Sequence, residues 1–186
     1  MKLIIKIQKK ILFLLFSFLN LFNFRFKIRL IDNLLNILKV KILRLCGAKI
    51  GVNSFIHANT LIINPENLII GNNSNIGSNS EIFNYNKVFI GDNVDIGTQF
   101  YINTNNHDTR DPNKLLAYQG NKTTEIKIGS DIWIGARVTI LLGAEVENRV
   151  VIGAGSLVNK KTLSGGVYAG VPATKKRDLN FNLTNI

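Results

Sequence analysis

The chain's 186 residues suffice for one domain with a substantial core plus an appendage. Its formal charge of +11 is lopsided: residues 1–49 hold eleven Lys or Arg and one acid, Asp32, against twelve basic and eleven acidic residues in 50–186. The basic residues are interleaved with long apolar runs and lack a stacking or base-reading motif, so no nucleic acid is expected and a charged-headgroup surface fits better.

The N-terminus has the basic start and apolar run of a signal peptide, with Lys2, Lys6, Lys9 and Lys10 ahead of Ile11–Leu19, but no small-x-small cleavage pattern comes after it. The run is also shorter than the roughly 20 apolar residues of a spanning helix. It reads as an interfacial helix over about 2–30, weakened by Asn20 and Asn23, or else as a helix buried against a partner subunit. A second helix is marked by Ile31, Leu34, Leu35, Leu38, Ile42 and Leu45 at three- and four-residue steps, with Lys39, Lys41 and Arg44 left to other faces. Gly47 supplies its stop. Cys46, the one cysteine, excludes an intrachain disulfide and a cysteine-cluster metal site, fits a reducing compartment, and reads as a buried small hydrophobe.

From Ile50 the period becomes six. Aliphatics stand at Ile50, Ile56 and Ile62; at Ile70, Ile76 and Ile82; at Ile90, Ile96 and Ile102; and, after a break, at Ile128, Ile134, Ile140, Val146, Ile152 and Val158. Many are followed by glycine, which is expected to permit a tight corner, with Asn72, Asn73, Asp92 and Asn93 satisfying turn backbone. Small or apolar residues such as Ser54, Ser74, Val94 and Ile132 fill the fifth positions. Three such units make one triangular coil, and about five coils give a rod of roughly 25 Å at about 4.8 Å each. The apolar end of such a rod needs a cap, and the second helix is expected to cover the first coil. Ile50, Ile70 and Ile90 are twenty apart, so two extra residues bulge at one corner of successive coils, near Glu66–Ile69 and Tyr85–Phe89.

Residues 103–127 leave the repeat. An excursion in so economical a fold is either a tolerated surface loop or a functional one, and its segment Asn105, Asn106, His107, Asp108, Thr109, Arg110, Asp111, Pro112 favours the second. His107, Asp108 and Asp111 lack a complete metal-ligand set by spacing, and no metal is expected. The other histidine, His57, sits at a corner or surface position of the repeat.

The isoleucine-glycine hexapeptides, NNHDTRDP, IGSDIWIGARVTI and IGAGSLVNK…YAGVPA together resemble the hexapeptide-repeat acyltransferases over residues 50–174, and within them the maltose, galactoside, nodulation and capsular or extracellular-polysaccharide O-acetyltransferases. The resemblance implies an all-β solenoid, a left-handed parallel β-helix preceded by helices, assembled as a homotrimer with acetyl-CoA between subunits. The division it suggests is a basic apolar helical region over 1–49, a β-helix domain over 50–174 carrying the loop, and a tail over 175–186.

It also implies roles. His107 takes the catalytic histidine position, and an imidazole suits the task of removing a proton from a sugar hydroxyl. Asp108, Arg110 and Asp111 are candidate acceptor-binding residues: one acid orients the imidazole or binds sugar hydroxyls and Arg110 locks the loop, or all three form a solvated charged loop. Trp133 packs against acceptor or pantetheine, or in a subunit interface. Gly135, Ala136, Gly153 and Ala154 line the cofactor path or simply turn repeat corners. Asn159 and Lys160 align with the family's Thr-Lys pair near coenzyme A, the asparagine being a departure. Together these imply an acetyl-CoA-dependent O-acetyltransferase of a sugar hydroxyl in surface or exported polysaccharide synthesis, cytoplasmic and peripheral at the inner membrane face. An amino-sugar or nucleotide-sugar N-acetyltransferase and a noncatalytic scaffold are the alternatives.

Overall fold

A computed structural model describes residues 2–21 and 29–179, with side chains from 8–18 and 33–179. Helices α1 (Lys2–Leu21) and α2 (Arg29–Leu45) pack on each other and lead into a three-faced parallel β-solenoid. The segment around Asn23 lies outside the described residues. The first face stacks Lys49–Ile50, Leu68–Ile70, Val88–Ile90, Ile126–Ile128 and Glu145–Val146. The third stacks Leu61–Ile62, Glu81–Phe83, Tyr101–Asn103, Thr139–Leu141 and Leu157–Val158. Five coils result, as the period requires. The second face runs from Phe55–Ile56 through Asn75–Ile76, Val94–Ile96, Ile132–Ile134 and Val151–Ile152 to Gly166–Ala169, and ends on an antiparallel strand, Thr174–Asp178. Residues 175–178 therefore belong to the sheet, and the expected tail begins later.

The register explains the hexapeptide. Ile50 pairs with Ile70, Ile70 with Ile90, and Ile90 with Ile128, so each first-position aliphatic stacks on its equivalent and the row is buried. Side chains at the corners continue the ladders: Val52 N donates to Asn72 Oδ1 at 2.9 Å and Ser130 N to Asn148 Oδ1 at 2.8 Å. Asn53, Asn73, Asn93 and Asp131 hold the left-handed backbone at one corner and Asn59, Asn79, Gln99 and Arg137 at the next.

The glycines after the isoleucines have a different reason from the expected one. None of Gly51, Gly71, Gly91 and Gly129 has positive φ. A Cβ on Gly71 would lie 2.7 Å from the carbonyl of Gly91 one coil on, and a Cβ on Gly91 2.5 Å from the Gly129 oxygen. Glycine is demanded by coil-to-coil approach, while the corner itself is turned two residues later.

α2 closes the first coil, but not with the expected face. Leu34, Leu38 and Leu45 of the predicted apolar row are exposed; Leu35 is half-buried and Ile42 buried. The side against the coil carries Asn36, Lys39, Val40 and Leu43. Asn36 Nδ2 donates to Ser54 O at 3.2 Å and its Oδ1 accepts from Ile56 N at 2.9 Å, as a neighbouring strand would. Lys39 Nζ donates to Ile56 O at 2.7 Å, and the Arg44 guanidinium to Ile50 O and Gly51 O. An open coil end exposes backbone donors and acceptors as well as apolar surface, so polar side chains are needed there. Gly47 follows the helix with φ +111°, and Cys46 is buried.

Candidate active site

The chain leaves the solenoid where Tyr101–Asn103 ends and rejoins it at Ile126, which is buried and pairs with Val88. Asn103, Ile126 and Lys127, assigned from sequence to the excursion, are thus part of the coils. The excursion is an arm on the edge between third and first faces. Both smaller bulges lie on that same edge, one as the turn Pro65–Asn67 and the other around Tyr85. Buried Thr104 roots the arm: its N–H donates to Phe83 O at 3.1 Å, and its Oγ1 accepts from Asn86 N at 2.9 Å.

Asn105–His107 pairs antiparallel with Asn121–Thr123, so the arm is a hairpin, with His107 opposite Asn121. The imidazole is exposed and makes no hydrogen bond among the described residues. Neither acid orients it. Asp108 is instead bound twice by the Arg110 guanidinium, at 2.8 Å to Oδ1 and 2.5 Å to Oδ2. The hydrogen bond from Arg110 holds this carboxyl at about 2, below the usual range. Asp111 accepts from Asn113 N at 3.0 Å and meets Lys114 at 3.4 Å, while its own N–H donates to Gln119 Oε1 at 2.8 Å. Asp108, Arg110 and Asp111 border one groove of about 330 Å³ with Lys114 and Gln119.

A carboxylate held this low is ionised in the folded arm at any pH above the ordinary carboxylate range, and its pairing is lost only as pH falls through about 2. Asp108 therefore stays ionised from about pH 5 to about pH 9, and contributes no limb to a pH–activity profile there. Arg110→Gln should return Asp108 to ordinary titration, loosen the arm, and lower activity roughly tenfold across that range. Profiles of both proteins check this.

Asn105 was legible only as part of a polar segment. It lies two residues before His107, on the same side of the strand, and its Oδ1 is buried with no hydrogen-bond partner among the described residues. Strand alternation outward from His107 is the signal that finds it.

The remaining candidates lie elsewhere on the prism. Trp133 is 58% exposed on the second face, beside a groove of about 290 Å³ bordered by Asp131, Arg149, Val151 and Leu179. Gly135 and Ala136, with Gly153 and Ala154 one coil on, turn the edge between second and third faces. Gly135 is fixed by stacking, since its Cβ would meet Ala154 N at 2.6 Å, whereas Ala154 is exposed and presents little bulk. Asn159 and Lys160 are exposed on the arm's own edge, two coils further along, and Lys160 has no ion pair among the described residues; its neighbour Lys161 bridges Glu145 and Glu147. No described groove joins His107 to Trp133. A larger groove of about 490 Å³ lies between α2 and the first coil, away from both.

Residues 67–103 and 125–160 match the family model described as hexapeptide repeat of succinyl-transferase, stopping on either side of the arm. The chain is 44% identical over 55 residues to galactoside O-acetyltransferase of Escherichia coli K12, 30% of this chain and 27% of that one. It is 40% identical over 52 residues to the putative lipopolysaccharide biosynthesis O-acetyl transferase WbbJ of the same organism, 28% and 26% of the two chains. A solved galactoside acetyltransferase in complex with coenzyme A superposes with a TM-score of 0.76 at 26% identity, over 95% of this chain and 81% of that one. The chain carries the hexapeptide repeat and is similar to hexapeptide-repeat acyltransferases in sequence over part of the solenoid and in fold over nearly all of its length. The aligned segments span about a quarter of each of these two curated relatives. Beyond the repeat, the chain carries an exposed imidazole on its arm and a row of small residues on another edge.

Proposed function

We propose that the chain is an acetyl-CoA-dependent O-acetyltransferase of a sugar hydroxyl, serving the synthesis of a surface or exported polysaccharide from the cytoplasmic side of the membrane. The observation that carries this is His107, whose open imidazole stands on a braced hairpin arm rooted in the solenoid. The related galactoside O-acetyltransferase and the WbbJ protein, named for transfer in lipopolysaccharide biosynthesis, support the reaction class and the acceptor class.

The site is taken to be shared between copies of a trimer. His107 and Trp133 occupy different flanks of one chain, and the arm ends in exposed Leu115, Leu116 and Tyr118, an apolar tip suited to seating on a neighbour. Acetyl-CoA would lie along the small residues Gly135, Ala136, Gly153 and Ala154 beside Trp133. Lys160 supplies a cation for its phosphates and Asn159 a side-chain amide. His107 removes the proton of the acceptor hydroxyl as that oxygen attacks the thioester carbonyl carbon. The C–S bond breaks and His107 returns the proton to the departing sulfur, leaving an acetyl ester and a free thiol. Asn105 Oδ1, a buried acceptor without a donor among the described residues, is suited to a hydroxyl of the bound sugar. Asp108, Arg110 and Asp111 act by holding the arm's shape around that sugar.

The test is thiol release from acetyl-CoA against a panel of sugars, amino sugars and glycan precursors, with product mass determined before and after mild alkali. An alkali-labile acetyl on a neutral sugar supports the reading. An alkali-stable acetyl made only on amines replaces it with N-acetyl transfer, and release with no acceptor contradicts both.

A further inference from the structure

The helices carry a surface that neither the coil end nor the transfer chemistry uses. On α1, Ile11, Leu14, Leu15 and Phe18 recur at three- and four-residue steps; on α2, Leu34, Ile37, Leu38 and Leu45 share a side, and all eight are 40–67% exposed. The opposite sides serve the core, through Leu12 and buried Phe16 on α1 and through Asn36, Lys39, Val40 and Leu43 on α2. Single exposed aliphatics are ordinary, but two such rows on packed helices form a patch that needs an occupant.

Charge selects the occupant. Lys10 is exposed at the flank of the α1 row, Lys41 occupies the gap between Leu38 and Leu45, and residues 1–49 offer one acid against eleven bases. A second copy of this surface would set lysines against lysines with almost no counter-charge, whereas a bilayer with anionic headgroups supplies both an apolar layer and the opposite charge. None of the described helices is long and apolar enough to cross a membrane, so the contact is superficial.

We propose that α1 and α2 dock on an anionic lipid surface, with Ile11, Leu14, Leu15, Leu34, Ile37 and Leu38 in the headgroup–acyl boundary and Lys10 and Lys41 at the phosphates. This contact needs no acetyl-CoA and stands apart from the transferase reading. It also accounts for a face of α2 that the solenoid leaves unused, and it would hold the arm close to lipid-linked acceptors.

The test is co-sedimentation of the full chain with phosphatidylcholine vesicles, with and without about one-third phosphatidylglycerol. The chain should bind the anionic vesicles, leave neutral ones largely unbound, and dissociate near 1 M salt, where the screening length is about 3 Å. Lys10→Gln with Lys41→Gln should weaken partitioning by about twenty-fold, and Leu14→Gln with Leu38→Gln by at least about tenfold. Leu163→Gln, an exposed aliphatic on the last coil, should change nothing. Wild-type chain that ignores anionic vesicles overturns the proposal, as does a Leu14/Leu38 double variant that binds like wild type. Sedimentation velocity without lipid completes the test: a double variant that loses oligomeric mass, in a chain that never binds vesicles, identifies the patch as a contact between copies.

Discussion

His107→Ala should lower turnover by roughly 10²–10⁴-fold while leaving thermal unfolding where it was, because general-base assistance is worth about that much and the side chain supports nothing else. The imidazole has no hydrogen bond among the described residues, and the arm's integrity rests on Thr104, the hairpin ladder and the Asp108–Arg110 pair. Loss should fall on kcat with little change in the KM for acetyl-CoA, since the small-residue row proposed for the cofactor lies on another edge of the prism and Lys160 stands two coils away. His107→Gln should be as slow as the alanine variant, because an amide fills the space without accepting the proton. Steady-state thiol release alongside circular-dichroism melting separates a lost base from a lost fold.

The second large effect lies at the other end of the molecule. Asn36→Leu should destabilise the chain by about 3 kcal/mol, a fall in Tm of roughly 6–12 °C, because it removes the partner of two buried backbone groups, Ser54 O and Ile56 N. Leu34→Gln and Leu38→Gln, on the row that helical periodicity marks most strongly, should each change stability by less than about 0.5 kcal/mol. If the ranking came out reversed, α2 would cover the coil with its apolar face instead. Chemical denaturation of the three variants decides it.

That contrast shows where the sequence was readable. Period six fixed the inward rows, the number of coils and the corner that bulges, since stacking one isoleucine on the next leaves a signature in every coil. α2 was misread because amphipathicity ranks faces by apolar content, while the end of a solenoid also presents unpaired peptide groups. Asn36 and Lys39 look like solvent residues until the strand beneath them is known. The glycines were located but misexplained, because close approach between coils twenty residues apart cannot be told from a tight turn along one stretch of chain. In the arm, the position of His107 was legible. The commitment of Asp108 to Arg110 and the use of Asp111 to cap a turn are choices among local partners that spacing leaves open, and the orphaned oxygen of Asn105 depends on a hairpin whose strands are about a dozen residues apart.

Transfer at a site shared between copies can be tested by restoring activity from two inactive proteins. His107→Ala removes the base, and Ala154→Trp, at an exposed position that tolerates bulk, obstructs the proposed cofactor path. Dissociated and reassembled in equal amounts, the two should recover roughly one quarter of wild-type thiol release, the share of interfaces pairing an intact arm with an intact neighbouring cofactor edge in a cyclic assembly. No recovery from variants that each fold and assemble like wild type would contradict the shared site.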